Sequence, residues 1–146
     1  MGYYFKTGHV AVDQIMNRAL NRLDLTAAQS HIIGYLSHTE GAPCAREVET
    51  FFQLSHSTVS GLLSRMEAQG FIAIRPDSED RRVKRIYLLE KGLSCAKQIE
   101  SSIQQTESQA LQGFTPVEKE IFLDLLLRAT DNLNREAQSN HSQREE

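Results

Sequence analysis

The sequence lacks the long apolar run that a membrane-spanning helix requires. No stretch approaches the roughly 18–20 consecutive apolar residues that cross a bilayer, and the first ten residues, MGYYFKTGHV, contain no signal-peptide core. Cysteine is also scarce: Cys44 and Cys95 are the only two, and they form no CxxC pair. We therefore expect a cytoplasmic protein with reduced thiols and no membrane partner, rather than a disulfide-stabilised one.

Positive charge is not in excess either, which excludes a uniformly basic surface for nucleic acid. The 146 residues carry 16 Lys and Arg against 19 Asp and Glu, a net charge of −3. The distribution of charge is more informative than its sum. Residues 81–85, RRVKR, place four cations within five positions and include no acid. This segment is the densest positive cluster in the chain.

Motifs for catalysis and for metal binding are also missing. The chain contains Ser, His and Cys, but no nucleophile elbow, phosphate-binding loop or paired-carboxylate motif is recognisable. His31 and His38 lie seven residues apart on one predicted helix, with Glu40 beyond them, yet no compact ligand cluster accompanies them. We therefore expect no enzymatic activity, no cofactor and no metal site.

Apolar periodicity predicts a mainly α-helical chain with one small β-hairpin. A first helix is predicted over residues 5–23, and the last helix is predicted to begin at Thr115-Pro116, where a capping box adjoins a proline. The other predicted helix boundaries are Thr26 and Gly41 for the second helix, Pro43 for the start of the third, Ser55 and Gly70 for the fourth, and Leu93 for the start of the fifth. Residues 137–146, AQSNHSQREE, have no apolar face and are expected to fray.

Between the fourth and fifth helices, the pattern changes to that of two short strands. Residues 71–75 and 83–89 are rich in β-forming residues, and they flank the polar segment Pro76–Asp80. This arrangement predicts a hairpin with a polar tip. A short helix, a tight turn and a second helix followed by a hairpin form a winged helix-turn-helix. Such a unit places its second helix in the major groove of DNA.

The fourth predicted helix carries a strip of small residues on its outer face. Its apolar face consists of Val59, Leu62, Leu63 and Met66, and the opposite face holds Ser57, Ser60, Gly61 and Ser64. Glycine and serine are poor helix formers, so helix propensity does not explain their presence. A solvated surface is the ordinary interpretation of such a face. The glycine, the following hairpin and the RRVKR cluster favour close approach to DNA instead.

Three segments resemble the MarR family of bacterial winged-helix regulators. They are LTAAQ (residues 25–29), LSHSTVSGLLSRMEAQGFI (residues 54–72) and RPDSEDRRVKRIYLLEKG (residues 75–92). The likeness covers residues 5–135 and is most specific over 54–92. It implies one domain over residues 1–146, with a DNA-binding region at 25–92 and dimerisation helices at 5–23 and 93–136. The segment QSHIIGYL (residues 29–36) is also similar to family members that repress multidrug-efflux genes.

The resemblance also suggests roles for residues of the hairpin. Asp80 and Arg82 match a pair in which the aspartate orients the wing and an arginine enters the minor groove. Leu89 departs from the family pattern, which has threonine before Glu-Lys-Gly, so the cap of the fifth helix is not carried over. The candidate DNA-contacting residues are Ser55, His56, Ser57, Thr58, Ser60, Gly61, Ser64, Arg65, Asp80, Arg81, Arg82, Lys84 and Arg85.

The expected function is that of a homodimeric transcriptional repressor on a palindromic DNA operator. The apolar faces of the terminal helices exceed what a winged-helix core needs, so a second copy of the chain is the simplest partner. The resemblance implies a small-molecule effector that binds where the dimerisation helices meet the DNA-binding region. Met16, His31 and Tyr35 are the candidate lining residues, although core packing explains Met16 and Tyr35 equally well.

Two alternatives to this function remain open. A thiol-oxidation sensor is one, although the family members that sense peroxides carry their reactive cysteine in the first helix, where this chain has none. A winged helix that binds only protein is the other. That alternative would predict exposed apolar residues at the hairpin tip rather than RRVKR.

Overall fold

The computed structural model describes residues 2–142, with side chains as far as residue 136, and confirms a mainly helical chain with one hairpin. In chain order, the elements are α1 (Gly2–Arg22), α2 (Ala27–His38), α3 (Ala45–Phe52), α4 (His56–Ala68), β1 (Ile72–Pro76), β2 (Lys84–Leu88), α5 (Glu90–Ala110) and α6 (Pro116–Ser142). They divide into two compact units, one up to Thr106 and the other from Glu107 onward. The expected single domain stays a prediction.

The core of the first unit is formed where α2, α3, α4, the hairpin and the first part of α5 pack together. The apolar face predicted for α4 is buried, and Val59 and Met66 are fully inaccessible. Fully burying such a side chain stabilises the fold by about 1.5–3 kcal/mol. The remaining buried apolar residues are Leu20, Leu25, Ile32, Ile33, Leu36, Val48, Leu62, Leu63, Phe71, Ile72, Ile86, Cys95 and Ile99. Packing therefore fixes α4 with its small residues directed outward.

A capping box begins α2, as predicted, and also connects this helix to α4. The Thr26 amide donates to Gln29 Oε1 at 2.9 Å, and the Gln29 amide donates to Thr26 Oγ1 at 3.3 Å. The buried Gln29 side chain in turn donates from Nε2 to Gln69 Oε1 at 2.7 Å. Gln69 is the C-cap residue of α4. One glutamine therefore links the first turn of α2 to the end of α4.

The sequence predicted that the third helix begins at Pro43. In the structure, this helix begins two residues later, at Ala45. The carbonyl of Pro43 accepts a hydrogen bond from the Ile86 amide at 2.9 Å, and Cys44 forms an antiparallel bridge with Arg85. The two residues before α3 therefore extend the hairpin pairing, in which β1 and β2 are antiparallel from Ile72 opposite Leu88 onward.

The two long helices also differ in extent from the prediction. The fifth helix begins at Glu90, three residues before the predicted Leu93, and α6 continues to Ser142, past the predicted start of the frayed tail. The last part of that tail, residues 143–146, lies outside the described residues. Within the described part of the chain, no helix is both long enough and apolar enough to span a membrane.

The second unit consists of the end of α5 and all of α6. The predicted capping box is present at its turn, because the Thr115 amide donates to Glu118 Oε2 at 2.7 Å and the Glu118 amide donates to Thr115 Oγ1 at 3.3 Å. Many large apolar side chains of α6 are exposed: Val117, Ile121, Phe122, Leu123, Leu125, Leu126, Leu127 and Leu133. This helix therefore carries more apolar surface than its own unit covers.

The start of α5 is held against the corner between α4 and β1 without a side-chain cap from Leu89. The Leu89 amide donates to the Phe71 carbonyl at 3.0 Å, and Lys91 Nζ donates to the Gln69 carbonyl at 2.9 Å. Lys91 also lies 4.1 Å from the centre of the Phe71 ring. Gly92 is buried, and a Cβ at this position would overlap the Phe71 carbonyl oxygen and lie 2.8 Å from Leu88 Cδ2. The Glu-Lys-Gly segment therefore positions α5.

We expect Gly92→Ala to lower the free energy of unfolding by about 1–3 kcal/mol, because the new methyl group meets a backbone carbonyl that cannot rotate away. Chemical denaturation measures this change. Gly34→Ala is the matched control, since a Cβ at Gly34 meets no atom within 4 Å and alanine is the better helix former. Equal stabilities for the two variants would contradict the close packing at Gly92.

Candidate nucleic-acid interface

The first turn of α4 begins with a cluster of hydroxyl groups. Ser55 Oγ accepts a hydrogen bond from the Thr58 amide at 3.3 Å, as expected of the N-cap. The same oxygen lies 3.1 Å from Ser57 Oγ and 2.9 Å from Thr58 Oγ1. All three side chains are exposed. Donors and acceptors are therefore grouped at the positive end of the helix dipole, an environment that favours anions.

The outer face of α4 is flat around Gly61. A Cβ at Gly61 would meet no atom within 4 Å, so the glycine is not required by packing within the chain. The carbonyl of Gly61 accepts a hydrogen bond from Arg65 Nε at 3.2 Å, which holds the guanidinium along the helix. Ser60 and Ser64 beside it are exposed. The face therefore offers hydroxyls and a backbone that a partner can approach closely.

The hairpin tip is ordered by two aspartates. Asp77 Oδ1 accepts from the amides of Glu79 at 2.8 Å and Asp80 at 3.1 Å. Asp80 Oδ1 accepts from the Arg82 amide at 3.0 Å, and the Asp80 carbonyl accepts from the Val83 amide at 2.9 Å. The turn is therefore held by its own side chains, while the Arg82 side chain stays exposed.

Arg85 connects the hairpin to the segment before α3. Its Nε donates to Asp77 Oδ2 at 2.7 Å, and its Nη1 lies 3.3 Å from the Ala42 carbonyl and 3.4 Å from Glu47 Oε2. The hydrogen bond from Arg85, followed by the two turn amides, lowers the pKa of Asp77 to about 2. The bond to Asp77 in turn raises the pKa of Arg85. Hydrogen bonds from Cys44, with a smaller effect of Arg85, lower the pKa of Glu47.

Arg85 therefore differs from the other candidate residues. Its side chain is 33% exposed and directed to carboxylates within the chain. The structure leaves the other twelve exposed: Ser55, His56, Ser57, Thr58, Ser60, Gly61, Ser64, Arg65, Asp80, Arg81, Arg82 and Lys84. A DNA contact of Arg85 stays a prediction. The hairpin cations that face solvent are Arg75 on β1 and, among the candidate residues, Arg81, Arg82 and Lys84.

Sequence reasoning missed two carboxylates that position this surface. Asp77 is one, and the available signal was its place directly after Pro76 in a turn, where aspartate commonly accepts from amides two and three residues on. Glu67 is the other, since its Oε1 accepts from the Ile74 amide at 2.8 Å and joins α4 to β1. No local pattern indicates Glu67, because its partner is a backbone amide of another element.

A groove and a cavity accompany these elements in the first unit. The groove, about 550 Å³, lies between α4 and the hairpin, and its polar lining residues are His56, Ser60, Ser64, Glu67 and Lys84. The cavity, about 680 Å³, is lined in part by the three residues proposed for an effector, Met16, His31 and Tyr35. The Tyr35 ring stacks against Phe51 with centroids 4.4 Å apart. Part of the cavity wall is therefore aromatic.

The cysteines are both free, and they differ in environment. Cys95 is buried, and burial raises the pKa of its thiol, which disfavours the thiolate that oxidation requires. Cys44 is half-buried at the N-cap of α3. Among the described residues, no group of three or more His, Cys, Asp or Glu side chains is placed to hold a metal ion.

This chain is similar in sequence to known transcriptional regulators. A sequence profile of the MarR family matches residues 16–83. The chain is 28% identical over 126 residues to the uncharacterized HTH-type transcriptional regulator YybA of Bacillus subtilis, covering 86% of this chain and 83% of YybA. It is 24% identical over 113 residues to the HTH-type transcriptional repressor IacR of Pseudomonas putida, covering 77% of this chain and 67% of IacR.

The solved structures agree with the sequence relatives. The MepR–DNA complex of S. aureus superposes with a TM-score of 0.75 at 25% identity, covering 91% of this chain and 99% of MepR. The profile, the sequence relatives and the solved structures agree: this chain is similar to MarR family transcriptional regulators and has a winged helix-turn-helix fold.

Proposed function

We propose that this regulator binds an inverted-repeat operator as a homodimer and represses transcription until a small molecule releases it. The observation that carries the proposal is the exposed small-residue face of α4, held by the core on one side and flanked by the cationic hairpin on the other. The relatives support DNA binding, because MepR was solved with DNA, and IacR supports repression, because it is a repressor. Such a protein acts where the chromosome is, so we place it in the cytoplasm.

On DNA, α4 enters the major groove and the hairpin follows the adjacent backbone. Ser57, Ser60 and Ser64 offer hydroxyls to base edges and phosphates, while Gly61 lets the helix backbone approach the groove floor. Arg81 and Arg82 reach phosphates or the minor groove from the hairpin tip. Asp77 and Asp80 hold that tip in shape, so DNA does not have to order it.

A second copy of the chain covers the exposed apolar side chains of the terminal helices. On α6, these are large aliphatic and aromatic residues, of which Leu127 and Leu133 are more than half exposed. On α1, the exposed apolar side chains are Tyr3, Tyr4, Phe5, Val10, Val12 and Ile15. Exposed apolar surface of this extent is typical of an interface between chains. Two identical copies then present two reading helices related by a two-fold axis.

The cavity of the first unit is the proposed effector site. Its volume, about 680 Å³, lies within the range of small-molecule pockets. Met16, His31 and Tyr35 supply a thioether, an imidazole and a phenol to its wall. An effector that lowers DNA affinity is itself bound more weakly by the DNA-bound protein, by the same factor.

The decisive experiment is selection of random-sequence duplexes on the purified protein, followed by titration of the selected sequence and of a scrambled duplex. A sequence-specific regulator binds the selected duplex with at least about 10³-fold preference. Equal affinity for the two duplexes would contradict the proposed operator binding.

We expect Arg82→Ala to weaken binding to the selected duplex and to reduce the slope of log affinity against log salt by about 1.8 per dimer, because each of the two protomers neutralises one fewer phosphate. A salt series of fluorescence anisotropy titrations measures both quantities. Arg18→Ala removes the same group from an exposed position on α1, outside the proposed DNA contacts, and keeps the wild-type slope. An unchanged slope for Arg82→Ala would remove this side chain from the interface.

We expect Gly61→Leu to abolish specific binding while the fold remains intact. The side chain would project into open space in the free protein and would hold the α4 backbone away from the bases in the complex. Gly61→Ala is the graded control and should lose less affinity. Thermal unfolding monitors the fold and anisotropy monitors binding. If Gly61→Leu binds the selected duplex normally, the serine face is not the DNA face.

We expect the selected sequence to be an inverted repeat with half-site centres about 10–10.5 base pairs apart, or a multiple of that distance. Inserting roughly 5 base pairs between the half-sites turns one of them to the far side of the duplex, so affinity falls to that of a single half-site. Footprinting on spacer variants and the protein mass in solution test this geometry together. A monomer that protects one half-site with full affinity would be incompatible with it.

A further inference from the structure

His56 and Glu49 form a contact between the two helices of the helix-turn-helix. His56 is the first residue of α4, and its Nδ1 lies 2.7 Å from Oε1 of Glu49 on α3. The imidazole side chain is 79% exposed, whereas that of Glu49 is only 21% exposed. Because an ionised carboxylate can only accept, Nδ1–H is the donor. The ring is therefore held at Nδ1, and Nε2 remains for a partner outside the chain.

The position of His56 around the helix places it at the edge of the reading face. At 3.6 residues per turn, Ser57, Gly61 and Ser64 lie opposite the buried face, whereas His56 lies on the flank toward the hairpin. This agrees with its place in the groove between α4 and the hairpin, whose wall includes Lys84. A helix in the major groove has base edges in front of it and a phosphate backbone along each flank. His56 therefore faces phosphates rather than bases.

The charges around His56 favour its protonated form once DNA is bound. Glu49 of α3 contacts the ring directly, and Glu67 of α4 and Lys84 of β2 line the same groove, while the residues of β1 in that groove, Ile74 and Pro76, are uncharged. Glu67 Oε1 is already occupied by the Ile74 amide. In the free protein, the positive charge of Lys84 repels a second positive charge at His56. Phosphates in the groove outweigh that repulsion, because they add negative charge on the exposed side of the ring.

We propose that His56 is a phosphate-contacting residue positioned by Glu49, and that each protomer takes up one proton from solvent at this imidazole on binding DNA. This inference rests on the DNA-binding function proposed above and adds a regulatory property to it. In the complex, the proton makes His56 an imidazolium that donates from Nδ1 to Glu49 and from Nε2 to a phosphate oxygen. DNA affinity therefore falls as pH rises, because the proton taken up becomes less available.

The test is the pH dependence of affinity for the selected duplex at constant ionic strength, between about pH 6 and pH 8, where an imidazole titrates. The full-length wild-type protein should lose affinity with rising pH, by at most about tenfold per pH unit for each proton taken up. His56→Gln should bind more weakly at the low end of the range and lose the pH dependence. His56→Lys should be equally independent of pH and should keep the affinity at the low end, since its cation persists.

Two further variants separate positioning from folding. Glu49→Gln keeps a hydrogen-bond acceptor beside the ring but removes the charge, so the pH dependence becomes shallower with little change in thermal unfolding. His9→Gln is the matched control, because His9 also contacts a carboxylate, Asp13 Oδ2 at 3.2 Å, on exposed α1. This control should reproduce the wild-type pH profile.

The outcomes distinguish this inference from the function on which it rests. Specific DNA binding with the same pH profile in wild-type protein and in His56→Gln would overturn the role of His56 and leave the regulator intact. A pH profile abolished by His9→Gln instead would assign the proton to another imidazole and would also overturn it. Failure of the wild-type protein to prefer the selected duplex at any pH would overturn the proposed operator binding itself.

Discussion

The ion pair between Arg85 and Asp77 is the interaction on which the proposed DNA-binding surface depends. The guanidinium of Arg85 joins the hairpin turn to the Ala42 carbonyl and to Glu47 at the start of α3. A charge-assisted hydrogen bond of 2.7 Å with a half-buried donor is among the stronger polar contacts that a small domain contains. Glu67 adds a second connection, from α4 to β1. The hairpin and α4 are consequently fastened to the same core in the free protein.

The helix α4 itself depends on this packing for its stability. With Ser57, Ser60, Gly61 and Ser64 on one face, α4 has poor intrinsic propensity, and isolated helices of this length are marginal even with good formers. The buried Val59 and Met66, together with the Ser55 cap, compensate. The helix can therefore carry an exposed face of small residues because its opposite face is buried.

Local signals allowed most of this architecture to be predicted from the sequence. Four predictions each depend on residues only a few positions apart, and the structure confirms all four. They are the capping boxes at Thr26 and Thr115, the Ser55 cap, and the change of period at the hairpin. The pairing of Pro43 and Cys44 with β2 was missed, because a two-residue bridge to a distant strand has no periodicity.

The exposure of the candidate residues was predictable to a similar degree, whereas their contact with DNA stays a prediction. The resemblance and the helical spacing indicated which side chains face outward, and the structure places twelve of the thirteen candidates on the surface. They did not indicate that Arg85 is held by Asp77, since two charges eight residues apart meet only once the strands are aligned. The cavity depends on elements as distant as α1 and α5, so its volume could not be inferred from any one segment.

The first turn of α2 lies between the cavity and the end of α4, to which it is joined by the hydrogen bond between Gln29 and Gln69. On one side, Ala27, Ser30 and His31 of this turn form part of the cavity wall. On the other side, Gln29 Nε2 donates to Oε1 of Gln69, the C-cap residue of α4, at 2.7 Å. The wall of the cavity and the C-cap of α4 are therefore joined through one turn of α2 and a single side-chain amide.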